Sequence, residues 1–194
     1  MKRFFTISFL FFCAINLLAQ KISVDRIESD GRHQIMTSSK SYSVQGTDYS
    51  FCMKVYESSE QKDWLLLVSS FSYIPMASEL LIKLGNDELL YLPVNNVHVG
   101  KVTKPGYGYT IGNVTTMTPS TEVDYYSSVY ELTPEKINKI DSLGIKKIRI
   151  SNGTSYRDKT FEYNSLGKFL GKCYKNILKR LESPLKKKGL FDDF

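Results

Sequence analysis

Four lysines recur along one segment near the end of the chain and are the strongest candidates for binding chemistry. They are Lys168, Lys172, Lys175 and Lys179. Their spacing places them on one side of a helix, opposite an apolar stripe that includes Phe169 and Ile177. No acidic residue stands four positions away from any of them. This basic face predicts contact with an anionic envelope component or polysaccharide, and the alternative is an ordinary solvated face of a packed helix.

Tyrosine is the second candidate, because the chain carries 13 tyrosines and several of them fall close together. The cluster comprises Tyr107, Tyr109, Tyr125, Tyr126 and Tyr130. Tyrosine rings stack on sugars while their hydroxyls reach water or ligand. Tyr125 and Tyr126 are therefore candidate ligand-binding residues of a carbohydrate-binding module. The alternative is that tyrosine is a favoured residue of half-exposed strands.

Catalytic and metal-binding patterns are not found in the sequence. The two histidines, His33 and His98, lie outside any metalloprotease motif, and the chain has no nucleophile elbow, phosphate-binding loop or CxxC pair. The carboxylates of Asp87 and Glu88 stand at a predicted hairpin tip, where such residues serve turn geometry. We therefore predict no catalytic residue, metal or cofactor. A hydrolase without a recognised motif is a further alternative, and as a glycosidase it would need two carboxylates about 5 to 10 Å apart.

Two cysteines, Cys52 and Cys173, follow the N-terminal segment of the chain. They are a candidate disulfide, since an exported protein folds where disulfides form. The alternative is a pair of buried thiols, because Cys173 lies on the apolar stripe of its helix and cysteine packs there as a small hydrophobe.

The first part of the chain, 21–132, reads as short strands joined by turns. Asp30-Gly31 joins the predicted strands Ile22–Ile27 and His33–Thr37, and Gly85-Asn86-Asp87 joins Leu80–Leu84 to Leu89–Val94. The remaining predicted strands are Tyr49–Tyr56, Trp64–Phe71, Val97–Val102, Tyr109–Thr116 and Val123–Glu131. Trp64–Phe71 is nearly all apolar, which predicts a central strand covered on both faces.

The segment 133–183 has a helix, strand, strand, helix pattern. Thr133, Pro134 and Gly144 mark the start and end of the first helix. The strands Lys146–Ile150 and Tyr156–Tyr163 follow, joined across Asn152-Gly153. Asn164 or Ser165 is expected to cap the second helix with a side-chain oxygen.

The N-terminus predicts the destination of the protein. Lys2 and Arg3 precede an apolar run that ends near Ala19, which is typical of a secretory signal peptide, 1–19. The run is shorter than the roughly 20 residues of a membrane span. We expect a protein exported to the periplasm or beyond, with no transmembrane span after cleavage and no nucleic-acid partner.

The charged residues that follow the predicted signal peptide are distributed unevenly, with an excess of acidic residues first and an excess of basic residues later. Residues 21–131 hold 9 basic and 13 acidic residues, whereas 132–190 hold 15 basic and 5 acidic residues. The unlike charges either help the two parts dock or leave a basic surface for a partner.

The sequence thus predicts one α+β domain, 20–183, followed by a flexible tail, 184–194. Its mainly antiparallel, sandwich-like sheet has about ten short strands, and two helices in the C-terminal third pack on it. The expected function is an exported, non-enzymatic binding or accessory module of the bacterial cell envelope.

Overall fold

A computed structural model describes residues 21–74, 78–106, 108–111, 114–151 and 154–183. The predicted signal peptide, the predicted tail, Tyr107 and the Asn152-Gly153 turn lie outside these ranges. Among the described residues, no helix has the length and apolar content to cross a membrane.

Twelve strands and two helices make up the described chain. The strands are β1 (Ile22–Ile27), β2 (His33–Thr37), β3 (Lys40–Val44), β4 (Thr47–Glu57), β5 (Lys62–Ser70), β6 (Glu79–Leu84), β7 (Leu89–Lys104), β8 (Gly108–Ile111), β9 (Val114–Met117), β10 (Thr121–Leu132), β11 (Ile145–Ser151) and β12 (Tyr156–Thr160). The helices are α1 (Pro134–Leu143) and α2 (Ser165–Glu182).

Ten strands form one antiparallel sheet in the order β1-β2-β4-β5-β10-β7-β6-β11-β12, with β3 beside β4. The long strand β7 belongs to both parts of this sheet, because its first half pairs with β6 and its second half with β10. A register shift interrupts the β10 pairing between Val94 and Asn96, and such irregularities bend a strand. Beyond this sheet, β8 and β9 form a separate two-stranded hairpin.

The core lies between one face of the sheet and the two helices. Alternate residues of the strands are buried, including Phe51, Met53, Leu66 and Ile82, and the buried residues of α2 join the same cluster. On the other face, which we call the outer face, the strands carry serine, tyrosine and charged side chains. The predicted α+β class, with both helices packed on a mainly antiparallel sheet, is confirmed.

The two ends of the sheet meet beside the start of α2. The ring of Tyr42, on β3, lies edge to face with Phe161, which follows β12, at a centroid distance of 5.3 Å. The hydroxyl of Tyr42 donates to the carbonyl of Ser165 (3.0 Å), and Nη1 of Arg157 donates to the carbonyl of Gln45 (3.1 Å). The sheet therefore curls around α2.

Several predicted strands are confirmed, whereas others have different bounds in the structure. The two predicted hairpins pair as expected. The predicted strand Val97–Val102 is the second half of β7, Tyr109–Thr116 divides into β8 and β9, and β3 was missed. The prediction that both faces of Trp64–Phe71 are covered is wrong, because Leu65 and Leu67 on the outer face are only half-buried.

The predicted N-terminal capping hydrogen bond is present at α1 and absent at α2. Oγ1 of Thr133 accepts from the backbone N–H of Lys136 (3.2 Å), as predicted for an N-cap. Asn164 is the N-cap of α2 but makes no side-chain capping bond. Its Oδ1 accepts instead from the backbone N–H of Ile145 (2.7 Å). Asn164 therefore ties the start of α2 to β11.

Candidate functional site

The basic face predicted from the lysine spacing lies on the solvent side of α2. Lys168, Lys172, Lys175 and Lys179 are all exposed, while Phe169, Cys173 and Ile177 of the same helix are buried. Nζ of Lys175 lies 2.8 Å from Oδ2 of Asp141 on α1, so this lysine is paired. Among the described residues, no ion pair forms at the other three. The free charge is therefore carried by Lys168, Lys172 and Lys179.

The two candidate tyrosines of β10 lie on opposite faces of the sheet. Successive residues of a strand alternate in direction, and the contacts agree with this. Tyr126 packs against the core and against the ring of Tyr73, whereas Tyr125 lies on the outer face against Phe71. The structure therefore does not bring Tyr125 and Tyr126 into one site.

Tyr125 lies at a groove on the outer face that the sequence did not indicate. The groove has a volume of about 470 Å³ and crosses strands β1, β2, β4, β5 and β10. Its lining is Ser23, Met36, Thr37, Ser38, Ser39, Ser50, Cys52, Leu67, Ser69, Tyr125 and Ser127. We call it the serine groove. Eight of these eleven side chains carry a hydroxyl group and none is charged.

Some hydroxyls of the serine groove are held by neighbours within the sheet. Oγ of Ser69 donates to Oγ of Ser127 across the ladder (3.0 Å), and Oγ of Ser50 lies 2.7 Å from Oγ of Ser41. Each hydroxyl has one donor and two acceptor positions, so these pairs retain hydrogen-bonding capacity toward a ligand. The cross-strand contacts also fix the side-chain directions.

Tyr125 forms the aromatic end of the serine groove, and Phe71, which does not line the groove, packs against the Tyr125 ring. Their ring centroids are 5.4 Å apart, and Phe71 is 49% exposed. Gly100 stands opposite Tyr125 in the β7–β10 pairing, and a Cβ at Gly100 would meet only the Tyr125 carbonyl, at 4.0 Å. The space beside Tyr125 on the β7 side is therefore open. Nζ of Lys104 lies 4.4 Å from the centroid of Phe71.

The two cysteines are free thiols in the structure, and both are buried. Cys52 borders the serine groove, while Cys173 lies on the buried face of α2, where Oγ1 of Thr37 donates to its sulfur (3.4 Å). Burial raises the pKa of each thiol to about 11. Both are therefore protonated at neutral pH, and a protonated thiol is a poor nucleophile.

His33 is the only histidine close to several charged groups in the described ranges. Its Nε2 lies 2.7 Å from Oδ1 of Asp25 and its Nδ1 3.6 Å from Oε2 of Glu57. The guanidinium of Arg180 contacts the other oxygen of Asp25. Both ring nitrogens thus face carboxylates, which leaves neither for a substrate. This cluster joins the end of α2 to β1, β2 and β4.

Burial alone would raise the pKa of Asp25. Hydrogen bonds from His33 and Arg180, together with their charges, outweigh this effect and hold the pKa below its usual value. Asp25 therefore remains ionised as an acceptor for both neighbours.

A metal centre is not formed by the residues described. Across 21–74, 78–106, 108–111, 114–151 and 154–183, no group of three or more His, Cys, Asp or Glu side chains could hold a metal ion. The serine groove has no carboxylate or histidine in its lining, so the hydrolase alternative gains no support there.

Comparison of the chain with family models, with curated proteins and with solved structures gives no match.

Proposed function

We propose that this protein is an exported, non-enzymatic binding module that takes a neutral, hydroxyl-rich ligand, a carbohydrate, in the serine groove. The observation that carries the proposal is the lining itself. None of its eleven side chains is charged, and seven carry a hydroxyl besides Thr37, whose Oγ1 is bonded to Met53 and Cys173 in the core. The groove volume of about 470 Å³ falls in the range of small-molecule sites.

The chemistry of the lining matches that of a sugar. A sugar presents hydroxyls that both donate and accept, and the serine hydroxyls do the same. Its C–H faces pack on aromatic rings, and Tyr125 provides such a ring in the groove, with Phe71 packed against it. A ligand with a net charge would meet no counter-charge among the lining residues.

The same lining supports binding over catalysis. The nucleophiles present are serine hydroxyls and the Cys52 thiol, and a serine or cysteine nucleophile needs an adjacent base or a lowered pKa. No base stands among the lining residues. Burial raises the pKa of Cys52 to about 11, opposite to the direction that activation requires.

The experiment is a screen of neutral oligosaccharides on a glycan array, followed by calorimetric titration of the best ligand. Tyr125→Ala and the double variant Ser69→Ala with Ser127→Ala are expected to weaken binding about tenfold or more, because each removes contacts to the sugar. Tyr163→Ala is the matched control, since Tyr163 is 80% exposed and lies outside the groove. A blank array, or unchanged binding by Tyr125→Ala, would contradict the proposal.

The basic face of α2 supports a second function, contact with an anionic envelope component or polysaccharide. Lys168, Lys172 and Lys179 are exposed and form no ion pair in the part of the chain described. At 1.5 Å per residue they extend along roughly 16 Å of one helix face. A linear polyanion could contact all three at once.

The test of this second function is retention on immobilised heparin at low ionic strength. The triple variant Lys168→Gln, Lys172→Gln and Lys179→Gln is expected to elute at clearly lower salt than the native protein. Lys175→Gln is the control, because Asp141 already pairs with this lysine. Equal elution of the triple variant and the native protein would exclude the basic face.

Export itself is tested by the mature N-terminus. Cleavage after Ala19 would leave Gln20 as the first residue. Mass spectrometry of the protein from periplasmic and extracellular fractions is expected to give this terminus, and an intact Met1 terminus in the cytoplasmic fraction would contradict export.

A further inference from the structure

The outer face carries a second groove on the other side of the bend in β7. Two rows of side chains cross the strands β7, β6, β11 and β12 there. One row is Leu89, Lys83, Lys147 and Thr160, and the next is Tyr91, Leu81, Arg149 and Asp158. A groove of about 190 Å³ lies along these rows and is lined by Leu81, Lys83, Leu89, Lys147, Ile148 and Arg149. We call it the cationic groove.

Lys83 and Lys147 stand directly opposite each other on neighbouring strands. Like charges at such a position repel and destabilise the sheet. Their ammonium groups turn away from each other, since Lys83 pairs with Asp87 (3.0 Å) and Lys147 with Asp158. The strand pairing alone therefore gives no reason for two lysines at this position.

The cations at this groove outnumber the carboxylates that pair with them. Asp87 is shared by Lys83 and Lys146, and Asp158 is shared by Lys147 and Arg149. Three of these cations, Lys83, Lys147 and Arg149, line the groove, whereas Lys146 lies outside the lining. Four positive charges are thus bound by two negative ones, and the resulting net positive charge favours an external anion.

The opposite side of the cationic groove is apolar and open to solvent. Leu89 is 62% exposed and Tyr91 48% exposed, and both stand on β7 next to Lys83 and Leu81. The Tyr91 hydroxyl donates to Glu79 (2.6 Å), which places a carboxylate beyond this apolar side. Polarity therefore changes across the groove, from apolar side chains on β7 to cations on β6 and β11.

We propose that the cationic groove binds the anionic head and first carbons of an amphipathic molecule, with the head between Lys83, Lys147 and Arg149 and the chain against Leu81 and Leu89. The arrangement would place an anion beside the two facing lysines and cover the exposed Leu89 side chain. The volume equals that of about six water molecules, which suits a head group and a short piece of chain. This site is separate from the serine groove and from the basic face of α2.

The probe is octyl phosphate below its micelle concentration, titrated calorimetrically at low ionic strength. Inorganic phosphate provides the head alone and 1-octanol the chain alone. We expect octyl phosphate to bind at concentrations where the two partial probes do not. Vesicles with an anionic phospholipid are compared with monomeric octyl phosphate, to separate a lipid bilayer from a free amphiphile as the source of the head group.

The double variant Lys83→Gln with Lys147→Gln tests the residues. Each carboxylate keeps one partner, Lys146 for Asp87 and Arg149 for Asp158, so the fold is retained. Binding of octyl phosphate is expected to weaken about tenfold or more. The control Lys101→Gln removes one exposed lysine that is outside the groove lining, and it should bind as the native protein does.

The variant Asp158→Asn is expected to change the affinity for octyl phosphate in the opposite direction. Removing this carboxylate frees Lys147 and Arg149 for the external anion, so octyl phosphate should bind several-fold more tightly. A purely structural role for the two cations would not produce tighter binding.

Four results would overturn the proposal. They are equal binding of 1-octanol and octyl phosphate, equal binding of inorganic phosphate and octyl phosphate, unchanged binding by the double lysine variant, and binding to vesicles with none to the monomeric probe.

Discussion

The ring of Tyr125 is accessible because the residue opposite it, Gly100, has no side chain. Gly100 occupies the facing position on β7, and no side chain from that position covers the tyrosine ring. A strand glycine without positive φ has no backbone reason to be glycine. Gly100 is therefore understood best as the residue that keeps the aromatic end of the serine groove open.

Gly100→Leu is expected to abolish or strongly weaken carbohydrate binding, because the new side chain fills the space beside Tyr125. Stability should stay the same or rise slightly, since leucine is better accommodated in a strand than glycine. Calorimetric titration and a thermal melt measure the two effects. Binding at native strength would show that the ligand does not use this side of the ring.

Asp158 gives a pH dependence with a defined sign. Hydrogen bonds from Arg149 and Lys147 lower the pKa of Asp158 to about 2, against an ordinary value of 3.8. A lowered pKa means that the ionised form stabilises the folded protein above the unfolded pKa, and that this contribution is lost as the pH falls from about 4 through about 2. Asp158→Asn should cost about 1 kcal/mol at pH 7, because solvent screens the pairs.

The measurement is urea unfolding of both proteins at pH 7, 4 and 2. The difference in unfolding free energy between native protein and Asp158→Asn is expected to shrink toward zero at the lowest pH. A difference that stays constant over this range would show that Asp158 acts through packing and not through its charge.

The candidate residues differ in how far the sequence could identify them. Helical spacing was enough to find the exposed lysines of α2, because a single period governs the whole segment. The alternation of strand residues could have separated Tyr125 from Tyr126. The serine groove could not have been found, since its serines are spread from Ser23 to Ser127 and only the strand pairing brings them together.

At the scale of the element, the junction between α1, β11 and α2 depends on two residues with positive φ. Gly144 has φ 74° and ψ 173°, a conformation that is essentially restricted to glycine. Asn164 has φ 50°, and its side chain accepts from the N–H of Ile145. A Cβ on Gly144 would also lie within 2.6 Å of the Asn164 amide group. The absence of a Cβ at Gly144 therefore leaves room for the Asn164 side chain that accepts from Ile145.

Substitution of Asn164 separates its two roles. Asn164→Ala loses the acceptor for Ile145 and places alanine at positive φ, and it should cost about 2 to 3 kcal/mol of unfolding free energy. Asn164→Gly loses the acceptor but tolerates the backbone, so its cost should be smaller by about 1 kcal/mol. Chemical denaturation measures both. Equal stability of the two variants would show that the backbone conformation contributes nothing.

Predicted and observed elements agree where the turn signal is strong. Asp30-Gly31 and Gly85-Asn86-Asp87 mark their hairpins because these residues accept positive φ. The strand β3 was missed because its hairpin turns at Gln45-Gly46, where both residues have positive φ although glutamine is not a usual turn residue. The continuity of β7 was missed because Asn95-Asn96 resembles a loop but forms an irregularity within the strand.

At the scale of the whole molecule, Tyr42 is the point at which the curled sheet closes. Its ring contacts Phe51 and Phe161, and its hydroxyl reaches the first residue of α2. Ion pairs between the oppositely charged parts of the chain accompany this closure, among them Lys139 with Glu88 (2.7 Å). The unlike charges of the two parts thus serve docking, while Lys168, Lys172 and Lys179 stay free.

Two substitutions of Tyr42 should have graded effects. Tyr42→Phe removes only the hydrogen bond to Ser165 and is expected to cost about 1 kcal/mol. Tyr42→Ala also removes both ring contacts and should cost about 3 kcal/mol or more. Urea unfolding followed by the fluorescence of Trp64 measures each loss. A small, equal effect of the two variants would show that the sheet ends are held together elsewhere.

The contact between Arg180 and Asp25 joins residues 155 positions apart, and it implies an order of events during folding. The buried face of β2 and β4 packs against α2, the last described element of the chain. Until that helix is synthesised, these strands have no cover for their apolar side chains. Contacts of such long sequence separation also form slowly. A nascent chain that ends before Ser165 therefore lacks this cover, and we expect it to bind chaperones until α2 has emerged.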